Sequence, residues 1–150
     1  MSQSLASILI HIIFSTKNRQ PFILPEIRKD LYDYIVGIAR SCESHVHEIG
    51  GIEDHVHLLI SLPRTLALCK ILEEIKKGSS KWIKTKGSFF NDFAWQNGYG
   101  AFSIGQSNYE NVRTYIQNQQ EHHKKIAFQD EYRAILKKYH IIYDEKYVWD

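Results

Sequence analysis

The chain of 150 residues has few cysteines and no long apolar or low-complexity segment. Its two cysteines, Cys42 and Cys69, fall within helical patterns and lack metal-type spacing, so we expect reduced, buried thiols. The N-terminal apolar segment from Leu5 to Phe14 is too short to span a membrane, and it lacks the basic start and cleavage site of a signal peptide. We therefore predict a cytoplasmic protein without a membrane partner.

A large excess of one charge is also missing, since the formal net charge is +2, which by itself indicates no nucleic-acid partner. The charge is uneven, however, with seven positive and two negative residues between Arg64 and Lys86. A solvated helix face and a phosphate-contacting surface are equal alternatives for this segment, because Gly78-Ser79-Ser80 and Trp82 lie within it. The candidate phosphate-contacting residues are Arg64, Lys76, Lys77, Lys81 and Lys84.

Composition and length favour one globular domain over residues 1–150, with 43% hydrophobic and 24% charged residues. Strand and helix patterns alternate along it. We predict strands over 5–15, 45–48, 55–62 and, irregularly, 93–104, and helices that begin near residues 25, 68, 108 and 128. The turn of the predicted hairpin contains Gly50-Gly51. This order predicts an α+β fold with a ferredoxin-like (RRM-like) split βαβ antiparallel sheet and helices on one face.

Two histidines, His55 and His57, stand one residue apart in the apolar run that ends at Ile60. Side chains alternate along a strand, so both imidazoles face the same way. The pair is either a set of hydrogen-bonded core residues or, as we prefer, two ligands of a metal ion. Asp54 is adjacent in sequence but belongs to the other face, so the pair lacks a carboxylate.

An earlier pair, His45 and His47, has the same spacing. A hairpin turn at Gly50-Gly51 puts the two pairs on opposite faces, whereas a turn centred on Glu53 puts all four histidines on one face. The sequence does not fix this register. We interpret His45 and His47 as half-exposed strand residues, and His11 as a hydrogen-bonded strand residue. His122 and His123 have either a surface or a DNA-proximal role.

Ser107 and Glu110 have the spacing of a helix capping box, which predicts a helix from about Asn108. On that helix Tyr115 and Gln119 lie four residues apart and share one face. A phenol and an amide at this spacing are by themselves typical of surface positions. Beside the histidine pair they become candidates for a nucleophile and for a third metal ligand.

The motifs at 54–59 and 115–119 together resemble the small single-tyrosine transposases of bacterial insertion sequences, which belong to the HUH endonuclease superfamily and include REP-associated relatives. The likeness also covers the segments 8–17, 77–80, 95–99 and 119–125. It implies the HUH palm fold and a transposase that cleaves and rejoins single-stranded DNA through a 5′-phosphotyrosine on Tyr115. It further implies Mg²⁺ or Mn²⁺ held by His55, His57 and Gln119.

The same resemblance implies a substrate with a DNA hairpin and a homodimer with shared active sites, and it leaves open whether Tyr115 acts in its own subunit or in the partner. Two other functions remain alternatives. One is a domesticated enzyme that processes chromosomal palindromic repeats by the same chemistry, and the other is a non-catalytic single-strand-binding module. A hydrolytic zinc enzyme is disfavoured because no carboxylate accompanies the histidine pair.

Overall fold

A four-stranded antiparallel sheet forms the centre of the computed structural model, which describes residues 1–150. The strands are β1 (Leu9–Ser15), β2 (His45–Gly51), β3 (His55–Ser61) and β4 (Gly100–Ile104). Their order in the sheet is β2-β3-β1-β4. With a helix after β1 and another after β3, this is the predicted ferredoxin-like arrangement, which is confirmed.

Five helices accompany the sheet: α1 (Pro25–Ser41), α2 (Leu68–Ile83), α3 (Tyr109–Gln117), α4 (Gln119–His122) and α5 (Phe128–Lys138). α1 and α2 cover one face, where Leu31 and Ile75 pack in the main core with Phe14 and Leu58. α3 and α5 cover the opposite face, where Ile13 and Leu59 contribute to two smaller cores. The predicted helices on one face are therefore those of the split βαβ unit, and the C-terminal helices add a second layer.

The β2–β3 hairpin turns later than the glycine pair predicts. Gly50 and Gly51 belong to β2 and pair with His57 and Val56, so the turn lies over residues 52–54. Gly51 has φ +156°, and a Cβ there would stand 2.2 Å from the His55 carbonyl oxygen. The glycine is needed for close pairing at the strand end, and the prediction of a turn at Gly50-Gly51 was wrong.

The later turn puts both histidine pairs on one face, as the alternative register required. His45 pairs with Ser61, and a bulge follows at His47. The His47 ring contacts the Ser61 hydroxyl at 2.6 Å and the Tyr109 hydroxyl at 3.1 Å. His47 therefore packs against the start of α3, at the far end of β3 from His55, while His45 stays exposed.

Several boundaries differ from the predictions. β1 begins at Leu9 instead of residue 5, and β4 is limited to its last five residues, although Trp95 and Phe102 are buried as core residues. Cys42 is buried as expected, whereas Cys69 is exposed. None of the helices has the length and apolar character needed to cross a membrane.

Candidate active site

β3 places two fully buried imidazoles beneath the C-terminal helices. His55 and His57 have no exposed surface, and their ring centroids lie 5.1 Å apart. Val56 and Leu58 point into the main core on the other face. Strand alternation thus gives the shared face that the sequence predicts.

The nucleophile and amide candidates reach this pair from two helices that meet at a break. α3 ends at Gln117, and Asn118 has φ −95° and ψ 17°, so Gln119 begins the separate helix α4. The predicted single helix was wrong in this detail, as was the capping box, because no side chain caps α3. The break nevertheless leaves Tyr115 beside His57, with ring centroids 5.8 Å apart, and Gln119 buried against His55.

A buried carboxylate from α5 lies at the centre of the site. Glu131 is 2% exposed, and its Oε1 atom is 3.1 Å from His57 Nε2 and 3.5 Å from His55 Nε2. Its Oε2 atom accepts hydrogen bonds from the Tyr115 hydroxyl and, at 3.0 Å, from the Gln119 amide. The expectation that no carboxylate accompanies the histidine pair was therefore wrong.

Two histidines at the end of α4, His122 as its last residue and His123 directly after it, complete the cluster. His123 Nε2 lies 2.9 Å from Gln119 Oε1 and 3.2 Å from Glu131 Oε1. The more exposed His122 faces Glu131 Oε2 at 3.1 Å. His123 therefore lies within the cluster, and His122 lies at its edge.

The tautomers of two rings point to a cation among these groups. His55 Nδ1 donates to the Asp54 carboxylate at 2.8 Å, and His123 Nδ1 donates to the Ile126 carbonyl at 2.7 Å. In neutral rings both Nε2 atoms then carry lone pairs, and both face the carbonyl oxygen of Gln119. Acceptors held this close require a proton or a metal cation between them.

The spacing of the acceptor atoms fits a metal. Ligating nitrogen and oxygen atoms of His55, His57, His123 and Glu131 all lie within 4.8 Å of one another. Ligands about 2.1 Å from one ion lie about 3.0–3.4 Å apart in octahedral or tetrahedral geometry. The separations in the site span 2.9–3.5 Å where Gln119 and Glu131 meet the imidazoles.

Outer contacts orient the rings. His11 on β1 is 5% exposed, and its Nε2 atom lies 2.8 Å from His57 Nδ1. Asp54 holds Nδ1 of His55 in the same way, contrary to the expectation that it is turned away from the pair. Partners of this kind fix the tautomer and direction of metal-ligating histidines.

Burial and the Glu131 charge set the protonation of the site. Burial lowers the pKa of His57 to about 4, which keeps the ring neutral and able to bind a metal. Burial and the neighbouring carboxylate raise the pKa of the Tyr115 phenol, so this group holds its proton in the absence of a cation. Burial opposes ionisation of Glu131, but hydrogen bonds from His123 and His57 outweigh it and lower the carboxyl pKa.

The basic residues singled out in the sequence lie away from this cluster. α2 packs on the other face of the sheet, and its Lys77 and Lys81 are exposed, as are Arg64 and Lys84 outside it. Lys76 differs because its ammonium group donates to the carbonyl oxygens of Gln96, Asn97 and Gly98 at 2.7–3.2 Å. A role of these five residues in binding DNA stays a prediction.

Sequence reasoning missed Glu131 and His123 for an identifiable reason. Glu131 follows the tyrosine by 16 residues, on a helix read only through its apolar stripe. The available signal was a carboxylate amid that stripe, next to the core residue Tyr132.

Comparison with known proteins places this geometry in a family. Residues 4–119 match the model of the family described as IS200-like transposases. The ISDra2 transposase TnpA of Deinococcus radiodurans is 22% identical over 116 residues, which cover 74% of this chain and 83% of that protein. Glu131 and His123 lie beyond residues 4–119, the segment that the family model matches.

Two solved structures share the fold. A crystal structure described as a transposase from Deinococcus radiodurans has a TM-score of 0.62 at 20% identity and covers 79% of this chain and 98% of its own. A REP-associated tyrosine transposase bound to a REP hairpin has a TM-score of 0.63 at 18% identity, with coverages of 84% and 76%. The match over most of the chain, with the tyrosine beside the histidine pair, shows that the protein belongs to the family of IS200-like transposases.

Proposed function

We propose that this transposase cleaves and rejoins single-stranded DNA through a covalent 5′-phosphotyrosine on Tyr115. The observation that carries the proposal is a phenol hydrogen-bonded to Glu131 at the edge of a cluster of buried acceptor atoms. A single-strand-binding module has no need for a nucleophile beside such a cluster.

His55, His57 and Gln119 would hold a divalent metal, and His123 and Glu131 lie close enough to complete the ligand set. When bound there, Mg²⁺ or Mn²⁺ supplies Lewis-acid polarisation of a phosphate oxygen. The imidazole-rich set favours Mn²⁺ over Mg²⁺, because nitrogen ligands suit the softer ion.

Residues of the chain itself position the Tyr115 oxygen and accept its proton in the remaining steps. Glu131 Oε2 accepts the phenolic hydrogen bond, so it holds the Tyr115 oxygen in place and offers a site for its proton. The tyrosine oxygen then forms a bond to phosphorus while the bond from phosphorus to the 3′ oxygen breaks, and the departing 3′ oxygen takes up a proton. Attack by another 3′-hydroxyl reverses these steps and joins a new strand.

The substrate in this proposal is a single strand that carries a hairpin. The support is the similar REP-associated transposase, which is bound to a REP hairpin, together with the exposed basic residues of α2. Domesticated processing of chromosomal palindromes would use the same residues and chemistry.

The proposal extends to a homodimer with shared sites, as the resemblance to single-tyrosine transposases implies. In this structure Tyr115 meets Glu131 of its own chain, so sharing requires α3 and α4 to move together to the partner. Of the glycines ahead of α3, Gly98 and Gly100 are restricted by packing, because a Cβ would stand 3.1 Å from the Asp150 carbonyl oxygen at the first and 2.7 Å from the Tyr132 hydroxyl at the second. Gly105, with no such contact, is the remaining hinge candidate.

Mixing two inactive variants tests the shared site. His57→Ala and Tyr115→Phe chains, combined in proven heterodimers, should regain part of the cleavage if one subunit supplies the histidines and the other the tyrosine. No recovery in such heterodimers, or a strictly monomeric protein by light scattering, would rule out shared sites and leave each chain acting alone.

Cleavage assays test the chemistry itself. Single strands copied from both flanks of the gene are incubated with wild-type protein and Mn²⁺ or Mg²⁺, and protein-linked DNA is detected on denaturing gels. We expect adducts that EDTA and His57→Ala abolish, with hairpin binding retained. Cleavage without any adduct would instead indicate a hydrolytic metal enzyme, and binding without cleavage would indicate the single-strand-binding module.

A further inference from the structure

A cavity of about 460 Å³ opens between α3 and α5 beside the Tyr115 phenol. Val112 and Ile135 give it apolar walls, and His11 on β1 lines its inner end. Its volume is within the range of about 300–1,000 Å³ that is usual for small-molecule sites. None of the chemistry described above uses this space.

The position of the cavity limits what can occupy it during cleavage. The reacting phosphorus must contact the Tyr115 oxygen, and Tyr115 is also a wall of the cavity. A base on a sugar adjoining that phosphate lies within one nucleotide of the phenol. An unpaired base is free to turn out of its stack and enter a pocket beside the reacting group.

The polar groups of the cavity suit a nucleobase. The side-chain amide of Asn111 donates through Nδ2 to Asn108 Oδ1 at 3.0 Å. The Nδ2 atom of Asn108 and the Oδ1 atom of Asn111 are left without a hydrogen-bond partner in the chain. These two groups form a donor and acceptor pair of the kind that reads a base edge. The Tyr139 ring, which packs against Phe102 with ring centroids 4.8 Å apart, also lines the cavity and adds an aromatic surface against which a base can pack.

The charges also favour a nucleotide. Lys138 is exposed at the rim, 5.7 Å from the Tyr139 ring centroid, where it can pair with a backbone phosphate. Glu131, the single carboxylate of the lining, already accepts hydrogen bonds from Tyr115 and Gln119. Repulsion of a phosphate is therefore offset within the site.

From this placement we infer that the cavity binds the base of one of the two unpaired nucleotides that flank the scissile phosphate. The inference rests on the proposed function and adds to it a specificity pocket, with Asn108 and Asn111 as the residues that read the base. The protein then selects a cleavage point as well as a hairpin.

The test uses single strands from the gene flanks whose cleavage point has been mapped with wild-type protein. Each of the two flanking nucleotides is replaced by the other three bases and by an abasic site, and initial rates of adduct formation are measured. At one of the two positions we expect losses of about tenfold or more for disfavoured bases and the abasic site, the effect of one or two lost base contacts.

Two pairs of variants assign the preference to the cavity. Ala134→Trp fills it from the exposed rim of α5, and Lys137→Trp adds the same ring to α5 outside the lining. The double change Asn108→Ala and Asn111→Ala removes the amides, with Thr114→Ala on the exposed side of α3 as control. The cavity variants should lose the discrimination between bases, and both control variants should keep that discrimination.

Three results would overturn the proposed base-binding pocket. Adducts that form at equal rates with every base and with the abasic site would overturn the pocket and leave the proposed function intact. Discrimination retained by Ala134→Trp to the same degree as by Lys137→Trp would do the same. Absence of adducts with all substrates would remove both the proposed function and the pocket.

Discussion

At the residue scale, Glu131 connects Tyr115, the proposed nucleophile, to the candidate metal ligands. One of its oxygens faces the imidazoles of His57 and His123, and the other accepts a hydrogen bond from the Tyr115 hydroxyl. A buried carboxylate without such partners would be strongly destabilised, so the histidines also stabilise its ionised form. The same side chain therefore orders the site before any ligand binds.

Replacing this carboxylate should weaken metal binding selectively. Glu131→Gln keeps the size of the side chain but removes its charge, so we expect Mn²⁺ affinity to fall about tenfold to a hundredfold. Isothermal titration calorimetry measures the effect. Asp130→Asn on the exposed side of α5 is the matched control and should bind Mn²⁺ like the wild type. Equal affinity of the two variants would remove Glu131 from the ligand set.

The histidine pair and its neighbours Tyr115 and Gln119 were predictable, whereas Glu131 and His123 were not. Alternation along a strand is a local rule, and it was enough to place His55 and His57 on one face. Glu131 reaches them because α5 folds back over the sheet, a long-range contact that leaves no periodic signal. His123 was equally hidden, since its position depends on the break at Asn118.

At the element scale, close backbone approach fixes α3 on the sheet. A Cβ at Gly50 would stand 2.4 Å from the Ile116 carbonyl oxygen, so glycine lets β2 and α3 touch. The sequence suggested a turn for this glycine, because turn chemistry is local and helix docking is not. This contact fixes the position of Ile116 on the sheet, and with it the position of Tyr115, the residue before it.

A pair of glycine substitutions tests this docking. Gly50→Ala forces backbone atoms apart and should lower the free energy of unfolding by about 1–3 kcal/mol, with loss of adduct formation. Gly37→Ala, on the exposed side of α1 with nothing within 4 Å, should instead stabilise by about 0.5–1 kcal/mol. Thermal and urea unfolding measure both, and a neutral Gly50→Ala would contradict the close approach.

The lysines of α2 separate into a structural and an exposed group. The Lys76 ammonium group is held by three carbonyl oxygens ahead of β4, and burial lowers its pKa to about 8. Lys77, its neighbour in sequence, is exposed and free to meet a phosphate. The basic run in the sequence contained no sign of this division, because both residues contribute the same formal charge.

Substitution of the two lysines should give opposite results. Lys76→Met should lower the free energy of unfolding by about 1–3 kcal/mol, since three carbonyl oxygens, two of them in partly buried hydrogen bonds, lose a charged donor. Lys77→Ala should leave stability unchanged, weaken hairpin binding and reduce the slope of log affinity against log salt by about 1. Fluorescence anisotropy at several salt concentrations provides the slope, and an unchanged slope would exclude Lys77 from the DNA interface.

At the scale of the whole molecule, the order of elements was predictable and the second helical layer was not. Apolar periodicity in Pro25–Ser41 and Leu68–Ile83 defined the two helices of the split βαβ unit, and the strand patterns supplied its sheet. The packing of α3 and α5 on the other face follows from the small cores around Leu59 and Ile13. Ile13 and Leu59 alternate along their strands with residues of the main core, so the sequence pattern alone would equally allow them to face solvent.

Tyr115 is the residue that we expect to become linked to DNA. Nine tyrosines are present, and Tyr115 differs from the others in its contact with the buried Glu131 and its place beside His57. Tyr132 is packed against Phe128, and Tyr109 contacts His47 at the far end of β3. Neither reaches the cluster of ligand atoms.

The most direct measurement is peptide mapping of the covalent adduct by mass spectrometry after nuclease digestion. We predict a 5′-phosphonucleotide on the peptide that contains Tyr115, with no adduct in Tyr115→Phe and unchanged hairpin binding by that variant. An adduct on any other tyrosine, or cleavage by Tyr115→Phe at the wild-type rate, would contradict it.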